Sequence, residues 1–322
     1  MTGLQTTHTF GVMKQILNPS STSGSKRPAI FTIVGASVAA LGLALAGTVV
    51  AAAGSATAAP ASVAAKTPGV VKQLEAATPK GSSKPTVVLV HGAWADTSSW
   101  DGEVTYLQDA GYPVRAIANP VENLTTDSEY VKDFLDSIKG PIVLVGHSYG
   151  GSVITNAAYG DKEVKALVYV DAAAPATGET NGSLSGSDSI LSKDPASTLF
   201  TSVPEPGAPA GVDDIYLNEP IFVNYFGADL PKGQAEQLWA TQRSASTAAF
   251  NTPSKYEAWK TIPSWFFIST GDKIITPTSE EAMAKRAHST VTLFHGGSHL
   301  TLISHPAAVT AVIASAIKAT SH

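Results

Sequence analysis

From residue 86 to the C-terminus, short apolar runs alternate with segments in which apolar residues recur every three or four positions. The runs predict strands at 86–90, 113–117, 142–145, 164–170, 265–268 and 291–294. The amphipathic segments predict helices at 98–112, 126–139, 151–159, 279–287 and 305–320. Strands that are apolar throughout are typical of a parallel sheet covered on both faces. The pattern therefore predicts an α/β fold with a doubly wound, mostly parallel sheet of about six strands.

The alternation breaks after residue 171. Residues 172–214 are rich in Gly, Ser, Pro, Ala and Asp and predict irregular structure, whereas 219–260 return to a helical pattern. An insertion of this length exceeds an ordinary crossover and predicts a helical cap at about 175–260, over the carboxyl edge of the sheet. Its apolar side chains either roof a pocket for a hydrophobic ligand or form a small core of the cap itself.

The first 58 residues differ from the rest. Lys14, Lys26 and Arg27 precede an uncharged apolar stretch at 29–53, and Ala-Thr-Ala follows at 56–58. This order is typical of a secretory signal peptide and predicts a secreted, extracellular protein. The alternative is a retained anchor, because about 25 apolar residues can span a bilayer. Residues 59–85 predict a flexible lead-in, which leaves 86–322 as the folded domain.

Composition and charge limit the classes of molecule that the protein is expected to bind. The 322 residues are 43% hydrophobic and 15% charged, with a net charge of −5 and no cysteine. Removing residues 1–58, with three basic and no acidic side chains, leaves a charge near −8. An acidic chain without a basic cluster is a poor binder of nucleic acid or anionic lipid. We therefore expect a small-molecule substrate, and neither nucleic acid nor, after signal removal, a membrane; the oligomeric state stays open.

The sequence PIVLVGHSYGGS at 141–152 carries the clearest chemical signal. An apolar run ends at Gly146, Ser148 follows, and small residues that can form a helix begin at Gly151. A serine on a sharp strand-to-helix turn between glycines is a nucleophile elbow, which exposes the hydroxyl at the edge of the sheet. Ser148 is the candidate nucleophile.

Four short motifs carry a resemblance to a known family: HGAW at 91–94, GHSYGG at 146–151, TGD at 270–272 and SHL at 298–300. With them, the chain resembles the α/β-hydrolase superfamily from residue 86 onward. Within it, the chain is similar to the compact branch of small esterases and plant hydroxynitrile lyases, and it looks like a secreted bacterial member. The absence of a predicted strand pair before residue 86 suits this branch.

A serine hydroxyl needs a base, and the base needs an orienting acid; in this fold they follow in the order serine, acid, histidine. Asp272 follows the predicted strand 265–268 and is the candidate acid. His299 lies in a Gly-rich loop before the last helix and is the candidate base. Asp171, after strand 164–170, is the rival acid, and its alternative role is a structural carboxylate that accepts backbone amides.

The oxyanion of an acyl-transfer reaction needs two preorganised N–H donors. One is expected to be the amide of Tyr149, at the start of the helix after Ser148. The resemblance implies that the other is the amide of Ala93, with Gly92 keeping the loop tight. This machinery needs no metal and no organic cofactor, and none is predicted.

The expected activity is hydrolysis of a small-to-medium hydrophobic carboxylic ester through an acyl-enzyme on Ser148, as in a serine esterase. Hydroxynitrile lyases of the branch have a Lys directly after the histidine and a Thr at the position of Gly92. Here Leu300 and Gly92 stand instead, which favours hydrolysis. Lyase-like or perhydrolase activity on the same triad remains an alternative, as does a secreted binding protein that keeps the fold without turnover.

Overall fold

A computed structural model describes residues 68–321. The predicted signal peptide and residues 59–67 of the predicted lead-in lie outside the described residues. The strands are β1 Thr86–Val90, β2 Val114–Ile117, β3 Ile142–His147, β4 Val164–Val170, β5 Phe200–Pro204, β6 Asp213–Leu217, β7 Ala245–Ser246, β8 Ser264–Ser269 and β9 Thr290–Phe294.

The α-helices are α1 Pro68–Glu75, α2 Asp101–Asp109, α3 Leu124–Asp136, α4 Tyr149–Ala157, α5 Ile190–Lys193, α6 Ala196–Leu199, α7 Glu219–Ile221, α8 Lys232–Ala240, α9 Thr247–Asn251, α10 Pro277–Arg286, α11 Thr301–Ser304 and α12 Pro306–Thr320. Short 3₁₀ helices occupy Thr97–Trp100, Asn181–Leu184 and Ala258–Lys260, and Phe222–Phe226 is a π-helix.

Six strands form the main sheet in the order β2-β1-β3-β4-β8-β9, and every neighbouring pair is parallel. Helices flank this sheet, and the predicted α/β-hydrolase architecture is confirmed. All six residues of β3 are buried, as a strand between two parallel neighbours requires. Because β3 lies between β1 and β4, the turn after it opens at the middle of the sheet's carboxyl edge.

The flexible lead-in predicted for 59–85 is corrected from residue 68 onward. Residues 68–75 form α1, which packs against α12 and α2. Val70 and Leu74 stand four positions apart on one face of α1, and both are buried. The hydroxyl of Tyr112 donates a hydrogen bond to the carbonyl of Leu74 over 2.7 Å. This segment is therefore part of the folded domain.

The chain between β4 and β8 forms the cap. Besides helices, it contains a three-stranded antiparallel sheet in the order β5-β6-β7, which the pattern did not predict. Four of the five residues of β5 are exposed, so this strand lacks the apolar alternation by which a strand is recognised. Between residues 68 and 321, no helix is both long and apolar enough to cross a membrane.

Candidate active site

Ser148 occupies the turn between β3 and α4 with φ 54° and ψ −124°, a left-handed conformation that is strained for a residue with a Cβ. Glycine is required beside it, because a Cβ on Gly146 would lie 2.6 Å from the carbonyl oxygen of Gly150. The Ser148 side chain is almost buried, with 5% of its surface exposed. The strained turn predicted from the sequence is present at this position.

His299 and Asp272 form a fully buried pair. The distance from His299 Nδ1 to Asp272 Oδ2 is 2.6 Å, and the second carboxylate oxygen accepts the amide of Ile274 at 2.7 Å. With Nδ1–H donating to the carboxylate, Nε2 is the nitrogen with a free lone pair. Within residues 68–321, Nε2 of His299 has no hydrogen-bond partner. The pair therefore leaves Nε2 of His299 free, without a hydrogen bond to Ser148.

Burial sets the protonation of this imidazole. It lowers the pKa of His299 to about 3, because the charged ring loses its hydration. Burial also raises the pKa of the Asp272 carboxyl, and the amides of Ile274 and Ile275 partly offset this effect. At neutral pH the histidine is uncharged, which is the state that a general base requires.

His147 links the elbow to the loop that carries His299. Its Nε2–H donates to the backbone carbonyl of His299 over 2.8 Å, and the two rings lie 4.8 Å apart. The ring of Phe226, in the cap, packs against the ring of His299, with 5.1 Å between their centroids. The structure therefore brings the histidine of the predicted triad next to the elbow residue that precedes Ser148.

Gly92 allows the loop after β1 to pack closely against Ser148. A Cβ at this position would lie 2.5 Å from the Cβ and 3.1 Å from the Oγ of Ser148. In the part of the chain described, neither the amide of Ala93 nor that of Tyr149 is engaged in a hydrogen bond. Tyr149 is the first residue of α4, where the helix dipole favours negative charge. Both predicted oxyanion donors are therefore unengaged.

Three hydrogen bonds that the sequence did not predict support this region. The phenol of Tyr149 donates to Asp127 over 2.7 Å. The side-chain amide of Asn119 donates to the carbonyl of His91 over 3.2 Å, and Arg243 of the cap donates to the carbonyl of Asn119. Asp127 and Asn119 stand in sequence surroundings that carry no chemical motif, so no local signal marks them.

Asp171, the rival acid, is engaged elsewhere. Its two carboxylate oxygens accept the amide of Ser269 at 2.7 Å and the hydroxyl of Ser269 at 3.0 Å. Asp171 makes no hydrogen bond to His299. It does lie beside Asp272 and Glu280: one carboxylate oxygen from each of the three falls within 4.8 Å of the others. No other acidic or histidine cluster this tight occurs among residues 68–321.

Two cavities meet Trp94, the residue after Ala93. One has about 480 Å³ of space, including its mouth, and is mainly apolar, with Leu199, Phe200 and Phe250 in its walls. The other has about 320 Å³ and extends toward Leu300, next to His299. Ser148 lines neither of them directly. The Trp94 ring therefore stands between the cavities and beside the predicted oxyanion donor.

Comparison with protein-family models matches residues 87–312 to the alpha/beta hydrolase family. The match covers more than half of the chain and includes Ser148, Asp272 and His299. The chain belongs to the alpha/beta hydrolase family.

Three known proteins illustrate the likeness. A carbendazim hydrolyzing esterase from Nocardioides sp. (strain SG-4G) is 34% identical over 109 aligned positions, covering 29% of this chain and 44% of that protein. Polyneuridine aldehyde esterase has a similar fold, with a TM-score of 0.60, 18% identity, and coverage of 71% of this chain and 97% of that one. An extracellular alpha/beta-hydrolase from a Paenibacillus species has a similar fold as well, with a TM-score of 0.57 and 20% identity. The comparison covers 72% of this chain and 98% of that one. The chain spans less than half the length of the curated relatives that it matches.

Proposed function

We propose that this protein is a secreted serine hydrolase that cleaves a small-to-medium hydrophobic carboxylic ester through an acyl-enzyme on Ser148. The observation that carries the proposal is the buried pair of His299 and Asp272, 2.6 Å apart, in which Nε2 of His299 is free and the imidazole ring lies 4.8 Å from that of His147 in the elbow. The name of the similar Nocardioides protein, an esterase, agrees with ester chemistry.

In the acylation half-reaction, the Oγ of Ser148 attacks the ester carbonyl carbon while His299 Nε2 takes the hydroxyl proton. Asp272 stabilises the imidazolium that forms and fixes the ring's tautomer. The amides of Ala93 and Tyr149 donate to the oxyanion as it develops. When the carbon–oxygen bond to the alcohol breaks, the imidazolium returns the proton to the leaving oxygen.

In the deacylation half-reaction, a water molecule attacks the acyl-enzyme and gives its proton to the same Nε2. The bond between the acyl carbon and Ser148 Oγ breaks, the serine regains the proton, and the carboxylic acid leaves. Burial serves this step, because an imidazole with its pKa lowered to about 3 stays neutral between turnovers.

The surroundings of Ser148 favour hydrolysis over the lyase alternative. A side chain at position 92 would meet the Cβ of Ser148 at 2.5 Å, so the present geometry has no room for the threonine of the lyases. The residue after His299 is Leu300, which is buried and carries no charge to hold a cyanide anion.

The substrate's hydrophobic part is assigned to the apolar cavity beside Trp94. Its space of about 480 Å³, including the mouth, lies within the usual range for small-molecule sites. Phe222 and Phe226 are buried within the cap. Part of the cap's apolar surface therefore forms a core of the cap itself, which was the alternative to a pocket roof.

The test is fluorophosphonate labelling of residues 59–322, together with hydrolysis of p-nitrophenyl esters of increasing acyl length. Ser148→Ala and His299→Ala are expected to abolish turnover, and Ser148→Ala to abolish labelling. Ser185→Ala is the matched control, because Ser185 lines the apolar cavity without belonging to the elbow. Labelling that survives in Ser148→Ala would refute the nucleophile. An unlabelled wild type would favour the binding-protein alternative.

Export is the second part of the proposal. Its support is the order of basic residues, apolar stretch and Ala-Thr-Ala in residues 1–58, and the similar Paenibacillus protein is described as extracellular. Expression of residues 1–322 in a secreting bacterial host should release protein that begins at Ala59 into the medium, as read by mass spectrometry of its N-terminal peptide. Full-length chain retained in the membrane fraction would favour the anchor instead.

A further inference from the structure

Behind the catalytic pair lie three carboxyl groups that the proposed reaction does not all use. Asp171 follows β4, Asp272 follows β8, and Glu280 points in from α10. All three residues are fully buried, and one oxygen of each lies within 4.8 Å of the others. Between residues 68 and 321, no lysine or arginine forms an ion pair with any of them.

Three negative charges cannot coexist at this spacing in a dry interior, so the cluster must retain at least one proton. The hydrogen bonds indicate which group holds it. Asp171 accepts two donors from Ser269, and Asp272 accepts the amide of Ile274 and Nδ1–H of His299. Neither oxygen of Glu280 makes a hydrogen bond of normal geometry among the described residues, and the nearby amide of Ala172 offsets its burial only in part. Glu280 is therefore the group whose ionised form is least stabilised.

We propose that Glu280 is a protonated positioning residue, whose carboxyl O–H is shared with the neighbouring aspartates and keeps Asp272 available as the charged partner of His299. The part of this proposal that concerns Asp272 as the partner of His299 rests on the proposed function. The protonation of Glu280 does not, because it follows from burial and like-charge spacing alone.

The groups that bear electrostatically on the cluster come from several elements: Asp171, Asp272, Glu281, Lys273, Asp229 and His299. All but Lys273 and the neutral imidazole are acidic. The burial of Glu280 raises its pKa well above the usual value, and the charges of Asp171 and Asp272 add to that effect. The amide of Ala172 opposes this effect, but burial and the neighbouring carboxylates outweigh it and disfavour ionisation of Glu280.

The first test is thermal unfolding of wild type and Glu280→Gln as a function of pH. A glutamic acid whose pKa is raised on folding keeps its proton in the folded state after the unfolded chain has lost it. Above about pH 4.5 it therefore lowers stability as pH rises. The wild-type Tm should fall relative to the variant by on the order of 3 °C per pH unit between pH 5 and 8.

Glu281→Gln is the matched control, because Glu281 is the next residue on α10 and is exposed. Its Tm should follow the wild type at every pH. A Glu280→Gln curve parallel to the wild type, or one that falls more steeply with pH, would overturn the proposal. So would a wild-type Tm that Ca²⁺ or Mg²⁺ raises over EDTA in a manner lost in Glu280→Gln, because that result requires an ionised ligand.

A second measurement needs no variant at position 280. In protein labelled with ¹³C at the glutamate carboxyl carbons, Glu103→Gln should retain one signal at a protonated-acid shift at pH 7. Glu103 is replaced because its carboxyl is also buried without a donor, and burial raises its pKa. No protonated signal in Glu103→Gln would overturn the assignment to Glu280.

The catalytic part is tested by comparing Glu280→Gln with Glu280→Met. The amide can still donate to an aspartate, so Glu280→Gln should keep kcat within about threefold of wild type. The methionine thioether of Glu280→Met cannot donate a hydrogen bond, so kcat of this variant should fall about tenfold or more. The acid limb of its pH profile should move to higher pH, and KM should stay unchanged. Equal effects of both substitutions would refute the positioning role. Loss of labelling in Ser148→Ala is a separate result and reports only on the nucleophile.

Discussion

His147 and His299 are joined by a hydrogen bond of 2.8 Å from the Nε2–H of the first to the backbone carbonyl of the second. His147 precedes Ser148, His299 is the proposed base, and 152 positions separate the two histidines in the chain. The contact therefore fixes the loop of His299 relative to the elbow. Because burial holds the pKa of His147 well below its usual value, this ring stays neutral and acts in positioning rather than in proton transfer.

His147→Phe is expected to lower kcat about tenfold with little change in KM, because the loop loses one hydrogen bond that orients the base. His147→Gln is the control, since its amide can donate to the same carbonyl, and it should recover part of the rate. Steady-state kinetics on a p-nitrophenyl ester would separate kcat from KM. Equal losses in both variants would assign His147 to packing alone.

Two aspartates compete for the role of the acid, and the structure allows them to be separated. Asp272→Asn is expected to lower kcat by about 10⁴-fold, because an amide at the hydrogen-bonding position favours the wrong imidazole tautomer. Asp171→Asn is the matched control: its side-chain oxygen can still accept the amide of Ser269, and kcat should fall less than tenfold. A larger loss in Asp171→Asn than in Asp272→Asn would reverse the assignment.

The pH dependence of activity should reflect the burial of His299. Its folded pKa, lowered to about 3, lies below the unfolded value of 6.5, so the imidazole stays an active base as pH falls through 6.5. We expect kcat/KM to remain near its plateau at pH 5 and the acid limb to lie below pH 6.5. In the same range this group lowers stability, because between about pH 6.5 and 3 the unfolded chain takes up a proton that the folded protein does not.

This profile should be measured on a substrate without titratable groups, at pH values where the near-ultraviolet circular dichroism is native. The circular dichroism signal distinguishes protonation of His299, which leaves the fold native, from unfolding of the protein. A half-maximal rate at pH 6.5 or above, in folded protein, would mean that water reaches the imidazole and that its pKa is not lowered.

The strands and the elbow were predictable because their signals are local. Strands β1 and β4 have the bounds that the sequence predicted, since each is a short, mostly apolar and β-branched run between polar or turn residues. Helix α4 begins two positions earlier than predicted, at Tyr149, because Ser148 already accepts the first helical amide, that of Gly151. The strand-turn-helix context of Ser148 is likewise contained in a dozen residues.

The features that were missed depend on partners far away in the chain. Asp171 and Glu280 are more than a hundred positions apart, so their contact has no sequence signal. The cap strands β5 and β6 are defined by pairing with each other rather than by burial. Helix α1 is different. Val70 and Leu74, at i and i+4, are a local signal for a helix, but the segment around them is rich in Ala, Pro, Ser, Lys and Thr and resembles a linker.

Trp94 should control which esters are accepted. Its ring is stacked between Phe200 at 5.6 Å and Phe250 at 5.3 Å, and its Nε1–H donates to the carbonyl of Ile215. Because the ring stands between the two cavities, Trp94→Leu should open one into the other. We expect the kcat/KM optimum in a p-nitrophenyl acyl series to move to longer chains, because each added buried methylene contributes about 0.8 kcal/mol.

Trp239→Leu is the matched control for this shift. Trp239 also donates its Nε1–H to a carbonyl of β6, that of Leu217, yet it lines neither cavity. Its substitution should cost similar packing in the cap and leave the chain-length optimum unchanged. If both variants moved the optimum equally, loosening of the cap would explain the shift. If neither did, the acyl chain would not reach the cavity beyond Trp94, and its position would have to be sought on the Leu300 side.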